Sequence, residues 1–295
     1  MGFKEYKYAG IDIGSNAVRL IVNNVIPGDD YKDAIMNKLV YLRLPLRLGG
    51  DVFMTNRIGD QKTQEFTNAM QIYKDLIDFY KIESFRACAT SATRSAENGK
   101  EVIELIKQKT GISIDVIDGV EESMLLYKTN LYNLPEGKTF LSADLGGGSL
   151  QLTLFEGDRF IWTHSYKIGT VRILSNSVNP KEFVDFEEKM KEIKEEFSDL
   201  RLIGSGGNIN KISKLVGEKT VELNDIEKLK DELEPLSLIK RMKKHNLRQD
   251  RADVIVPASE IYIKLMKILD INKIFVPKIG LADGIIRELY EQNHD

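Results

Sequence analysis

The sequence predicts an α/β protein of two domains with a cleft shared between them, and three observations carry that prediction. At 295 residues the chain is long for one core and ample for two domains of ordinary size. Short apolar runs of strand length alternate with longer segments of helical period. A turn of acid, glycine and serine at the end of a strand occurs twice, once in each half.

In chain order, residues 7–26 predict strand, turn and strand. Lys38 to Leu48 adds a further strand-like stretch closed by Gly49-Gly50. From Asp60 to Tyr80 the residues Phe66, Met70, Tyr73, Leu76, Ile77 and Tyr80 recur at helical spacing. Ser84 to Thr90 reads as a buried strand with Ser91-Ala92-Thr93-Arg94 as its exit loop. A helix over about 98–110 stops at Gly111, and 112–117 is the next strand. Asp118-Gly119-Val120-Glu121-Glu122-Ser123 opens a helix that runs through Leu125, Leu126 and Leu131 towards Pro135-Glu136-Gly137, and this passage is the candidate domain junction.

The second half repeats the pattern. Thr139 to Ala143 leads into Asp144-Leu145-Gly146-Gly147-Gly148-Ser149, and the alternating run 151–155 leaves it, which predicts a β-hairpin. Gly157-Asp158 is a second hairpin turn, leading to a strand over 160–166. Asn179-Pro180 has the pairing of a helix start, with Phe183, Phe186, Met190, Ile193 and Phe197 on one face of the helix that follows. Residues 201–203 form a short strand that enters Gly204-Ser205-Gly206-Gly207-Asn208 and then a helix. Residues 217–250 read as polar and helical, with a basic cluster at 240–251 that reads as a solvated face. A helix over about 252–269, a strand at 273–277 and a terminal helix from Gly280 complete the chain.

Bulk composition excludes several classes. With 42 basic against 45 acidic residues there is no global field to recruit nucleic acid or a membrane, so an anionic ligand must be met by local groups. The single cysteine, Cys88, excludes an intrachain disulfide, and three dispersed histidines give a zinc site little to be built from. No apolar run approaches the length of a membrane span and no leader is indicated. A reduced, cytoplasmic protein is expected.

The two acid-glycine turns carry the chemistry. Residues without a Cβ let the backbone approach a ligand and turn its N–H groups towards a phosphate, while an acid at the strand end suits a hydrated divalent metal. The second turn, at 144–149, matches the first, Asp12-Ile13-Gly14-Ser15-Asn16, and the glycines at 204–207 add helix N–H groups. Glu121 and Glu122 sit where a helix begins, which the helix dipole alone would favour, so position leaves their role open. Arg94 follows a buried strand, where α/β folds collect ligand contacts.

Seven motifs in order resemble the exopolyphosphatase/guanosine pentaphosphate phosphohydrolase (Ppx/GppA) family of the actin, Hsp70 and sugar-kinase superfamily. They are Gly10-Ile11-Asp12-Ile13-Gly14-Ser15-Asn16 with Arg19, Arg47-Leu48-Gly49, Ala89 to Arg94, Ile117 to Glu122, Asp144 to Ser149, Ile168-Gly169-Thr170-Val171-Arg172, and Arg251 to Ile255. The resemblance implies an α/β fold of two ribonuclease-H-like (actin-like ATPase) domains with an interdomain cleft. Residues 1–122 and 123–280 are the expected domains, with the helix 281–295 packing back on the first. The length matches the short form of the family, without its helical C-terminal domains.

By the same resemblance Glu122 is the catalytic glutamate. Asp12, Gly14, Ser15, Asn16, Arg94, Gly146, Gly147, Gly148, Ser149, Gly206 and Gly207 bind phosphate, and Asp144 with Gln151 binds Mg2+ (or Mn2+). The implied activity is hydrolysis of the terminal phosphate of inorganic polyphosphate, with guanosine pentaphosphate (pppGpp) as a further substrate. A homodimer is consistent with it. One departure stands out: the family's hairpin reads Gly-Gly-Gly-Ser-Thr-Glu, and this chain has Leu150 and Gln151 at the last two positions. An amide keeps an acceptor oxygen but removes a charge, so a catalytically weakened binder of polyphosphate or alarmone is the alternative.

Overall fold

The computed structural model describes residues 5–28, 33–130, 138–157 and 159–294. Leu131 and the stop at Pro135-Glu136-Gly137 lie outside the described residues, as does Asp158 of the second hairpin turn. Contacts divide the chain into two units, Met1–Tyr132 with Gly280–Asp295, and Asn133–Ile279.

The first unit contains β1 (Tyr6–Ile13), β2 (Val18–Ile26), β3 (Ile35–Leu44), α1 (Leu48–Thr55), α2 (Asp60–Tyr80), β4 (Ser84–Ala89), α3 (Ser91–Ser95), α4 (Gly99–Thr110), β5 (Ile114–Val116) and α5 (Gly119–Asn130). Its sheet runs β3-β2-β1-β4-β5, with β1, β2 and β3 antiparallel and β4 and β5 joining in parallel. The last six residues of β1 are buried, as suits a central strand covered on both faces. The helix α2 buries Phe66, Met70, Tyr73 and Ile77, the stripe its periodicity predicts.

Two segments of this unit differ from expectation. The third strand ends at Leu44, and Gly49 and Gly50 lie inside α1, because Arg47 takes a left-handed conformation (φ 56°) that turns the chain into a helix. The exit loop 91–94 is the short helix α3.

The second unit contains β6 (Thr139–Leu145), β7 (Leu150–Glu156), β8 (Arg159–Tyr166), α6 (Thr170–Leu174), α7 (Pro180–Glu196), β9 (Leu200–Ser205), α8 (Gly206–Val216), β10 (Thr220–Glu222), α9 (Leu223–Leu233), α10 (Leu238–His245), α11 (Gln249–Ala252), α12 (Ile255–Leu269) and β11 (Lys273–Phe275). Its sheet runs β10-β11-β9-β6-β7-β8. The hairpin β6–β7 closes with Leu145 opposite Leu150, and β9 joins β6 in parallel. One face of the hairpin, Leu141, Ala143, Leu145, Leu150, Leu152 and Leu154, packs with Phe186, Met190, Ile212, Ile261 and Leu265 of the helices in a single core. Asn179 caps α7 by accepting from the Lys181 N–H at 3.0 Å.

The strand β10 falls in the stretch expected to be helical throughout. Its three residues give little local signal, and pairing of buried Val221 with Ile274 defines it. Strands β8-β7-β6-β9-β11 repeat the order and directions of β3-β2-β1-β4-β5, the duplication read from the paired turns.

The chain then re-enters the first unit as α13 (Leu281–His294). Leu281, Ile285, Ile286, Leu289 and Tyr290 join Tyr8, Cys88, Ile117 and Leu125 in one cluster. The division between units follows α5 because Leu125 of that helix belongs to this core.

Cys88 belongs to that cluster with no exposed surface, and burial pushes its thiol up to about 12. The native protein is therefore expected to resist thiol reagents at pH 8. A colorimetric thiol assay should detect the cysteine only after denaturant is added.

Candidate active site

In the first unit, Asp12 ends β1 and is 7 % exposed, opposite Arg19 in the β1–β2 ladder and ion-paired with it. Ser15 and Asn16 are buried in the turn between the strands. The Gly14 N–H donates to the Ala17 carbonyl at 3.1 Å, and the Ser15 and Ser91 hydroxyls lie 2.8 Å apart. The Ser15 carbonyl accepts from the Gly49 N–H at 2.8 Å and the Asn16 carbonyl from the Arg47 N–H at 3.1 Å. Carbonyls of the turn are thus drawn towards the start of α1, and a peptide whose carbonyl points one way presents an N–H the other way.

Glu122 sits in the first turn of α5. Asp118 begins this helix, its Oδ1 accepting from the N–H groups of Val120 and Glu121 at 2.9 Å each. The two adjacent glutamates then part company. Glu121 binds Arg86 Nη2 at 2.6 Å, while Glu122 is half-buried with its Oε2 atom out of solvent contact. Arg86 also holds Asp115 at 2.9 Å and Glu288 at 2.7 Å, so one guanidinium ties β4 to β5, α5 and α13. Arg94 is exposed and donates through Nη1 to the Ile117 carbonyl at 2.6 Å. The fold thereby brings Arg94 to the loop from which Glu122 rises.

In the second unit, the glycine turn is held by its carbonyls. The Gly146 carbonyl accepts from the Thr170 N–H at 3.1 Å, and the Gly147 carbonyl accepts from the N–H groups of Val171 and Arg172 at 2.8 and 3.2 Å. Arg172 Nε donates to the Gly148 carbonyl at 2.9 Å. The N–H groups of Gly147 and Gly148 make no backbone hydrogen bond among the described residues. Such close approach needs glycine at position 169, where a Cβ would stand 2.3 Å from the Gly147 carbonyl carbon. Ser149 is buried at the end of the turn, its carbonyl accepting from the Gly146 N–H at 2.9 Å.

Asp144 is half-buried at the end of β6 and accepts from the Ser205 hydroxyl at 3.1 Å. Gly206 (φ +82°) lies against it, a Cβ there falling 2.4 Å from Asp144 Oδ1, and a Cβ at Gly207 would meet the Arg251 guanidinium at 2.5 Å. Gln151 faces Asp144 across the ladder, 3 % exposed, and donates through Nε2 to Thr163 Oγ1 at 2.7 Å. Among the described residues no three His, Cys, Asp or Glu side chains gather into a metal cluster. One carboxylate with one amide opposite suits a hydrated Mg2+ that draws its remaining ligands from water and phosphate.

The basic cluster at 240–251 is not a solvated face throughout. Arg251 is 9 % exposed, and its Nη1 donates to Asn208 Oδ1 at 3.2 Å. Asn208 in turn donates to the Leu145 carbonyl at 2.7 Å, bracing the glycine turn from the α8 side. Arg241 donates to the carbonyls of Leu233, Glu234 and Ala252. Burial and the charges of Lys214, Arg251 and Arg248 lower the pKa of the Lys211 ammonium, a sign of surplus positive charge along α8. Asn208, Thr163 and Arg86 escaped sequence reasoning because their partners lie far away in the chain. Arg251 was marked only by its place in a motif and in the basic cluster.

Two units that repeat one strand order, each with an acid-glycine turn after its first strand, define a protein of the actin-like ATPase fold. The crystal structure of the Aquifex aeolicus Ppx/GppA family member is 26 % identical, with a TM-score of 0.78, covering 99 % of this chain and 100 % of that one. An exopolyphosphatase structure from Cytophaga hutchinsonii superposes with a TM-score of 0.85 over 97 % of this chain and 98 % of its own, at 20 % identity, and shows the fold alone. The profile of the Ppx/GppA phosphatase family matches residues 29–293, and the chain belongs to that family.

Two curated relatives match over most of this chain. The guanosine-5'-triphosphate,3'-diphosphate pyrophosphatase of Vibrio parahaemolyticus is 23 % identical over 97 % of this chain and 59 % of its own length. The bifunctional 3-dehydroquinate synthase/phosphatase of Fusobacterium nucleatum is 29 % identical over 89 % of this chain and 43 % of its own. This chain therefore spans about three fifths or less of the length of the curated relatives it matches.

Because the Gly147 peptide leaves no room beside position 169, Gly169→Ala is expected to destabilise the protein by about 1–3 kcal/mol, as overpacking against backbone does. Urea unfolding of the two proteins side by side checks this.

Proposed function

We propose that the protein hydrolyses the terminal phosphoanhydride of inorganic polyphosphate, with guanosine pentaphosphate as an additional substrate. The observation that carries this reading is the glycine turn at 146–148, whose carbonyls are tied back so that the N–H groups of Gly147 and Gly148 stand ready for an anion. Membership of the phosphatase family supports it.

Phosphoryl transfer to water needs an in-line nucleophile and neutralisation of charge on the transferred group. Glu122 orients the water and takes its proton as the new P–O bond forms and the bridging P–O bond breaks, releasing orthophosphate and a shortened chain. The N–H groups of Ser15, Asn16, Gly147, Gly148 and Ser149, with Arg94, hold the phosphate oxygens. Gly206 and Gly207 at the start of α8 add to this positive surface. Asp144 and Gln151 hold Mg2+ (or Mn2+), which supplies positive charge to the phosphate oxygens when bound. Among the described residues no helix is long and apolar enough to cross a membrane. A cytoplasmic setting and a homodimer form part of the proposal, with neither nucleic acid nor membrane as a partner.

One observation favours a second reading. An amide at 151, buried and hydrogen-bonded as an amide, is compatible with a regulator that holds polyphosphate or alarmone and turns it over weakly.

Phosphate release from short polyphosphate, long polyphosphate and guanosine pentaphosphate, assayed with and without Mg2+, separates the two. Hydrolysis is expected for at least one substrate, and Glu122→Gln should lower kcat by about 10²–10⁴-fold with the fold intact by circular dichroism. Full activity in Glu122→Gln would remove the base from the mechanism. Tight binding without release would favour the regulator.

A further inference from the structure

The strand β9 leaves the sheet before it can pair with the stem of the glycine turn, and a side chain takes its place. The last β6 residue that β9 meets is Asp144, opposite Ser205, after which the chain turns into α8. Across the hairpin the Gly146 N–H goes to the Ser149 carbonyl, and strand alternation turns the N–H and carbonyl of Leu145 to the opposite side, where β9 has ended. There the Tyr262 hydroxyl accepts from the Leu145 N–H at 3.4 Å, and Asn208 Nδ2 donates to the Leu145 carbonyl at 2.7 Å. Asn208 stands in the first turn of α8 and is 4 % exposed.

Both ends of this amide meet partners that cannot reverse. A carbonyl only accepts and a guanidinium only donates, so the nitrogen faces Leu145 and the oxygen faces Arg251 Nη1, 3.2 Å away. Aspartate has the same length but lacks the donor, and leucine lacks both donor and acceptor. The guanidinium held in this way lies against the start of α8, where a Cβ on Gly207 would stand 2.5 Å from it. The Gly206 N–H is taken by the Ile279 carbonyl at 3.3 Å, so the N–H groups that a helix start leaves without intrahelical partners are offered from Gly207 onward. One side chain thus ties the stem of the glycine turn to the head of α8.

We propose that Asn208 is a positioning residue that sets the spacing between two anion-binding elements of the second unit, the glycine turn and the head of α8 beside Arg251. Neighbouring phosphates of one chain then meet both at once, and the unit selects a run of phosphates over a single one. This rests on the phosphate roles given to Gly147, Gly148 and Gly207 in the proposed function. The turn itself keeps its conformation through α6 and Arg172, whose hydrogen bonds to the carbonyls of 146–148 do not involve Asn208. Loss of Asn208 therefore loosens the spacing and leaves each element able to take a lone phosphate. Two linked sites gain affinity together only while their separation fits the ligand.

The test uses the full chain in EDTA, with inorganic tripolyphosphate and orthophosphate as separate probes, each titrated against the amide nuclear magnetic resonance spectrum. Asn208→Ala opens a gap that water can fill, which satisfies the buried carbonyl without fixing the spacing. The variant is expected to bind tripolyphosphate about tenfold more weakly, and orthophosphate within about twofold of the unsubstituted protein. An asparagine that merely supported the fold would weaken both ligands by the same factor. Circular dichroism checks the variant, and Asn208→Ser replaces Asn208→Ala if the latter does not fold.

Equal losses for the two ligands, no loss for tripolyphosphate, or absence of saturable binding of either ligand by the unsubstituted protein would overturn the proposal. Phosphate release from polyphosphate together with equal losses sinks this inference alone. The expected ligand pattern without phosphate release from any substrate sinks the hydrolase reading alone.

Discussion

The carbonyl oxygens of Gly146, Gly147 and Gly148 are taken up from one side by the first residues of α6 and by the Arg172 side chain, and this fixes the conformation of the turn that begins with Asp144. A glycine tripeptide is the most freely moving stretch a chain can contain, so left alone it would lose much of any anion affinity to the entropy of ordering. Hydrogen bonds to its carbonyls remove that freedom before a ligand arrives. The first unit applies the same device in weaker form, with the carbonyls of Ser15 and Asn16 bound to Gly49 and Arg47 at the start of α1. Both α1 and α6 follow the third strand of their sheet, so duplication copied the brace along with the turn.

Arginines brace these frames. Arg86 engages Glu121 and two further carboxylates, Asp115 and Glu288. Arg19 pairs with Asp12, and Arg251 braces Asn208 and, through it, the Leu145 carbonyl. Arginine suits these posts because its planar fork can serve several acceptors at once and stays charged when partly buried.

What could be read from the sequence was what is local. Helix α2 shows its buried stripe in its own period, and the turns at 12–16 and 144–149 announce themselves by glycine and acid after an apolar strand. Helix α1 was hidden because Gly49-Gly50 looks like the end of a strand, whereas a left-handed Arg47 and hydrogen bonds back to the first turn make it a helix. Strand β10 exists through its pairing with β11, which lies about fifty residues further on. The burial of Arg251 and the linkage of Arg86 to Glu288 are likewise long-range facts, invisible to a window along the chain. Gln151 was recognised as a departure, but only the position of Thr163 across the sheet shows that its surroundings match an amide.

The central claim is that the braced glycine turns present their N–H groups to a phosphate chain. The most direct measurement is the amide nuclear magnetic resonance spectrum of the protein, titrated with inorganic tripolyphosphate. The account predicts saturable shifts at the amides of Gly147 and Gly148, accompanied by those of Ser15 and Asn16. Tripolyphosphate binding that shifts other amides and leaves these four unmoved would contradict it.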